Sequence, residues 1–74
     1  MFNVGYQLTL NELSKDDNYF EISLSYVDRD NNTYIEKGYS PDDFKMFGLN
    51  NKVEITGYYF AYGFCPCVKA KLIQ

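Results

Sequence analysis

Residues 19–39 read YFEISLSYVDRDNNTYIEKGY, and this stretch decides the fold class. Phe20, Ile22, Leu24 and Tyr26 alternate with Glu21, Ser23 and Ser25, the period of a strand with one buried face. Asp28-Arg29-Asp30-Asn31-Asn32 follows, and Asp and Asn tolerate the left-handed backbone that turns require. Thr33 to Tyr39 then returns, so the segment predicts an antiparallel hairpin with strands over Tyr19 to Val27 and Thr33 to Tyr39.

Toward the N-terminus, Phe2, Val4, Tyr6, Leu8 and Leu10 alternate with polar or small residues, which predicts a first strand over Met1 to Leu10. The polar run from Asn11 to Asn18, with Lys15, Asp16 and Asp17 together, is expected to be a loop. Beyond the hairpin, Ser40-Pro41-Asp42-Asp43 has the chemistry of a helix start. Ser40 suits the N-cap, Pro41 the first turn, and Asp42 and Asp43 the positive end of the helix dipole. Phe44, Met46 and Phe47 supply the apolar side, and Gly48 is a stop signal.

Lys52 to Tyr62 is expected to be a fourth strand with Val53 and Ile55 inward. After Gly57 the bulky residues change parity to Tyr58, Phe60 and Tyr62. Either Gly57 is a bulge that resets the faces, or those rings form an exposed aromatic row. Gly63 to Pro66 turns the chain, and Cys67 to Ile73 ends it with Val68, Ala70 and Leu72 inward. The whole chain, 1–74, is predicted to be one α+β domain. Its architecture would be a small twisted antiparallel sheet of four to five strands, with one short helix between strands 3 and 4.

So short a chain has a thin core, and its eight tyrosines and six phenylalanines exceed what that core can hold. Some rings must lie at the surface, where clustered aromatics mark an interface, so a homodimer is expected. The net charge of −3 opposes binding driven by phosphate neutralisation, and opposes a basic membrane-surface helix. The expected partner is a protein, with no direct nucleic acid and no membrane. There is no apolar run of membrane-spanning length and no charged-then-apolar leader, and the only cysteines are Cys65 and Cys67. A reducing, cytoplasmic setting is therefore expected.

Catalysis is not expected. Without histidine the commonest general acid/base is missing, and the paired carboxylates fall in turns and caps. Cys65-Pro66-Cys67 supplies two thiolates where a tetrahedral metal site needs four ligands, so neither metal nor cofactor is predicted. Asp28 opens a pattern like a calcium loop, but Thr33 stands where Gly belongs and Tyr39 where Glu belongs. Tyr58, Tyr59, Phe60 and Tyr62, with Lys69 and Lys71 nearby, suit base stacking in a small single-stranded nucleic-acid-binding β-barrel, an alternative reading. Glu36, Asp42 and Asp43 are the acidic set that could stand in for DNA phosphates, although capping alone explains Asp42 and Asp43.

The stretch from Tyr19 to Ile55 resembles the small dimeric uracil-DNA glycosylase inhibitors of certain tailed phages. The resemblance lies in the Asp-rich turn, the strand ending in Lys37-Gly38, and Gly38-Tyr39-Ser40-Pro41-Asp42-Asp43-Phe44, which is similar to that family's Gly-Leu-Ser-x-x-Asp-Phe run. The resemblance implies an acidic homodimer that blocks a repair enzyme by occupying its DNA-binding cleft. It implies that Phe44, with Phe47 beside it, lines an apolar pocket for the leucine the enzyme inserts into DNA. Tyr39, Glu36, Asp42 and Asp43 would flank that pocket. The chain departs from the family at Lys45, where an acidic residue follows the key Phe, and at Gly48, where a Tyr stands. Charge and size fit an inhibitor of a bacterial immunity nuclease equally well.

Overall fold

The computed structural model describes residues 2–16, 18–38, 44 and 52–73. Its elements in chain order are β1 (Gln7–Thr9), α1 (Leu10–Ser14), β2 (Glu21–Val27), β3 (Thr33–Gly38), β4 (Lys52–Ala61) and β5 (Cys65–Leu72). The strands form one sheet in the order β1-β4-β5-β2-β3.

The hairpin of β2 and β3 forms as its sequence dictates, with Ile22 opposite Gly38 and Val27 opposite Thr33. Asp28 builds the turn. Its N–H donates to the Asn32 carbonyl at 3.0 Å, its carboxylate accepts from the Asp30 and Asn32 amides, and Asn31 takes the left-handed conformation at φ 66°.

The sheet is mixed, not antiparallel as expected. β5 turns back tightly from β4, then lies alongside β2 in parallel, with Ile22 opposite Val68 and Leu24 opposite Ala70. The physical reason is burial. Cys67, Val68 and Ala70 are all buried, so β5 is covered on both faces near its start and belongs in the middle of the sheet.

The described helix also lies elsewhere than predicted. It stands between β1 and β2, taking the last residue of the predicted first strand, Leu10, and the start of the run expected to be a loop. Thr9 and Glu12 form a reciprocal capping box, in which the Glu12 amide donates to the Thr9 hydroxyl at 3.2 Å and the Thr9 amide donates to the Glu12 carboxylate at 2.8 Å. Leu10 and Leu13, three apart, drop into the core. Of the segment predicted to be helical after β3, only Phe44 is described, and it is helical and fully buried.

The first strand is shorter than predicted because Gly5, at φ 92°, breaks the alternation. The Tyr6 amide closes a turn on the Asn3 carbonyl, and Val4 and Tyr6 face solvent. The core is Leu8, Leu10, Leu13, Ile22, Leu24, Phe44, Val53, Ile55, Val68 and Ala70, all on the side of the sheet that α1 covers. Each such side chain larger than alanine contributes on the order of 1.5–3 kcal/mol through removal from water.

β4 carries a bulge. Ile55 faces Ala70 and Gly57 faces Lys69, so Thr56 is the extra residue. The bulge shifts the parity by one. Tyr58 therefore joins the core face and stacks on Tyr19 at 6.0 Å, while Tyr59 is sent to the opposite face.

Candidate partner-binding surfaces

The strand alternation gives the face away from α1 a polar lining: Ser23 and Ser25 on β2, Ile35 and Lys37 on β3, Thr56 and Tyr59 on β4, and Lys69 and Lys71 on β5. Tyr59 organises its centre. Its hydroxyl donates to Glu21 Oε1 at 2.5 Å and lies 2.8 Å from Ser23 Oγ. The Lys69 ammonium stands 5.4 Å from its ring centroid, a cation–π contact, and Lys37 Nζ lies 3.8 Å from Glu21. Burial, reinforced by the bond to Glu21, pushes the Tyr59 phenol up to about 12.

Beside this ring is a pocket of about 310 Å³. Ser23, Ser25, Thr56, Tyr59, Lys37 and Lys69 form its polar wall and Ile35 its apolar wall, with Ala70 also bordering it. No carboxylate lines it among the described residues. At the other end of the face, Lys71 pairs with Glu54 at 3.3 Å. The Gln7 amide and Lys71 together hold the Glu54 carboxyl below the usual carboxylate range.

A second surface forms where β4 turns into β5. The Phe64 amide donates to the Ala61 carbonyl at 3.2 Å, and Tyr62 and Gly63 both take positive φ, 55° and 79°, the sign pattern of a type I′ turn. The tight turn pushes rings outward. Tyr62 is 82% exposed, Phe64 75% and Phe60 66%, and Phe20 meets Tyr62 edge-on at 6.5 Å. Together they make an uncharged aromatic cap on one end of the sheet. The Asp28–Asn32 turn, with Asp28 and Asp30, lies at the opposite end.

A third surface is the outer edge of β3, where Ile35 is 69% exposed and Tyr34 41%. Tyr34 stacks on Tyr26 at 5.3 Å, and the Tyr26 hydroxyl lies 3.5 Å from Glu36 Oε1.

Phe44 is fully buried in the core of the chain. Glu36 is half-buried on β3 and distant in sequence from the aromatic cap. Tyr39, Asp42, Asp43 and Phe47 lie outside the described residues. Of the predicted aromatic row, Tyr58 belongs to the core side, Tyr59 to the polar face, and Phe60 and Tyr62 to the cap. The row is therefore split, and the sheet is open, with β1 and β3 as its edges, not closed into a barrel.

Sequence reasoning missed the Tyr59–Glu21 contact and the exposure of Phe64. The Tyr62-Gly63 pair was the available signal for the second, because a two-residue loop with Gly at its second position marks a hairpin tip, and Phe64 flanks that tip. No helix among the described residues is long and apolar enough to cross a membrane, and no group of three or more His, Cys, Asp or Glu there is placed to hold a metal. Comparison with protein-family models, with curated proteins and with solved structures gives no match to this chain.

Proposed function

We propose that the chain works by binding a protein, as an inhibitor that occupies the DNA-binding surface of a DNA-processing enzyme, with uracil-DNA glycosylase as the first candidate. The observation that carries this reading is the aromatic cap of Phe60, Tyr62, Phe64 and Phe20, a cluster of exposed rings on an acidic chain. Exposed aromatics supply the anchor residues of protein interfaces, and a net negative charge steers the chain toward a basic DNA-binding groove. Base-flipping enzymes offer such a groove together with an apolar wedge. The cap takes over the anchor role that the resemblance gives to Phe44. A nuclease of bacterial immunity presents the same combination of charge and apolar surface, and partner identity separates the two.

The test is uracil excision from single-stranded DNA by purified glycosylase with increasing amounts of this protein. Complete inhibition saturating near about two chains per enzyme, the stoichiometry of a symmetric dimer, supports the reading. Full activity at large excess rejects glycosylase as the target.

One observation favours a second reading. The pocket beside Tyr59 has two ammonium groups, four hydroxyl side chains and an aromatic ring, a composition suited to the backbone and base of a single nucleic-acid strand. Binding of a labelled oligothymidylate that weakens with salt and with Lys69→Gln supports it. The absence of any binding at low salt rejects it.

A further inference from the structure

We infer that β3 is the dimer interface of this protein: two copies join edge to edge, antiparallel, with Ile35 on the two-fold axis, to make one continuous sheet. The turn fixes which backbone groups of β3 point outward. Asp28 and Asn32 form a hydrogen-bonded pair at the turn, since the Asp28 N–H donates to the Asn32 carbonyl. Bonded and non-bonded pairs alternate along an antiparallel ladder, so Tyr34, Glu36 and Gly38 direct their N–H and C=O toward β2. Thr33, Ile35 and Lys37 therefore direct theirs away from the sheet, at an edge that no described strand covers. Such an unpaired row is a template for another strand.

The side chains then select the occupant and the register. With Ile35 on the axis, Ile35 faces the partner's Ile35, Thr33 faces the partner's Lys37, and Tyr34 faces the partner's Glu36. No like charges meet, and the most exposed aliphatic side chain on the edge is covered. All three outward residues find partners, and each bonded pair exchanges two bonds, about six in all. A register centred on Glu36 sets two carboxylates face to face, and one centred on Lys37 sets two ammonium groups face to face. A register centred on Tyr34 sends Lys37 to the partner's Asn31, which is in the turn, and loses that pair. The edge is thus complementary to itself in one register. The resulting dimer keeps both polar faces on one side of the joined sheet and both copies of α1 on the other.

This inference supplies the dimer that the inhibitor reading assumes, and its test needs no enzyme. Sedimentation over a range of concentrations is expected to give twice the 8.7 kDa chain mass at high concentration. Hydrogen exchange is expected to slow at the Ile35 and Lys37 amides as the dimer forms, while the Tyr34 and Glu36 amides are protected at every concentration. Ile35→Pro removes an outward N–H and is expected to leave a folded monomer. Ile35→Lys, which keeps the backbone donor and sets two cations together, is expected to do the same if the proline variant fails to fold. A wild-type protein that stays monomeric at all concentrations overturns the inference. So does a dimer that survives in Ile35→Lys with the amides of positions 35 and 37 still in fast exchange. Either of those results leaves the inhibitor reading standing, with one chain per enzyme.

Discussion

The Tyr59 hydroxyl donates to the Glu21 carboxylate across an intervening strand. Tyr59 is on β4 and Glu21 on β2, and both are opposite Cys67 on β5. Spanning that gap carries the Tyr59 side chain across β5 on the face where Cys67 stands. This explains why Cys67 is 1% exposed although it shares the open face with Lys69 and Lys71. One side chain thus ties three strands together and shields a thiol.

Two substitutions separate the bond from the cover. Tyr59→Phe keeps the ring and loses the donor to a partly exposed carboxylate, at a cost of about 1 kcal/mol in urea denaturation. Tyr59→Ala removes the cover as well. In a Cys65→Ser background, thiol labelling of Cys67 is expected to be slow in the parent and in Tyr59→Phe, and fast in Tyr59→Ala. Equal labelling in all three contradicts the shielding.

Burial of the same phenol, reinforced by that contact, makes stability fall at alkaline pH. Tyr59 has a folded pKa of about 12 against an ordinary 10.0, so between those values the folded state holds a proton that the unfolded state has released. Its contribution is fully present below pH 10 and is lost as pH rises through 12. Tyr19, Tyr26 and Tyr34 are also raised, the first two mainly by burial and Tyr34 mainly by its bond to Asp28, and they add in the same direction. The denaturation midpoint is expected to fall steeply across that range, and less steeply in Tyr59→Phe. On the acid side, Asp28 is lowered, chiefly by the Asn32 amide, so its contribution is lost as pH falls below 3.8 through its folded value.

Phe44→Ala separates core from anchor. The ring is fully buried among the leucines and isoleucines of the core, so truncation is expected to cost about 3–5 kcal/mol. That is a large share of the total stability of a chain this short, on the order of 0.05–0.15 kcal/mol per residue. The cooperative thermal transition is expected to weaken or vanish, and any loss of inhibition to follow the loss of fold. A well-folded Phe44→Ala protein without inhibition would instead restore the anchor role implied by the resemblance.

The parts of this molecule legible in the sequence are the ones set by neighbours along the chain. Alternation and an Asx-rich turn were enough for the β2–β3 hairpin, and the parity change after Gly57 was enough to suspect a bulge. The parallel pairing of β5 with β2 was not legible, because a strand's place in a sheet depends on contacts between residues more than forty positions apart, such as Glu21 and Cys67. Leu10 served equally as the end of an alternating strand and as the start of a helix, and only the Thr9–Glu12 spacing could decide between them. Phe44 shows a different ambiguity, since a core position and a binding anchor call for the same aromatic. Tyr59 could be assigned to a face only once Thr56 was known to be the extra residue.

Tyr62 offers the sharpest test of the aromatic cap. A tyrosine at φ 55° is strained relative to Asn or Gly, and Tyr62 is 82% exposed, so packing gives little in return beyond its edge contact with Phe20. A non-glycine side chain held against backbone preference at an exposed turn is a candidate for function. Tyr62→Asn creates the Asn-Gly pair that type I′ turns favour and is expected to raise stability by about 0.5–1 kcal/mol, read as a higher urea midpoint with an unchanged slope. In the excision assay the same variant is expected to inhibit less well, because the ring that leaves is the most exposed of the cap. A more stable protein that inhibits as well as the parent would remove Tyr62 from the interface and leave Phe60 and Phe64 to carry it.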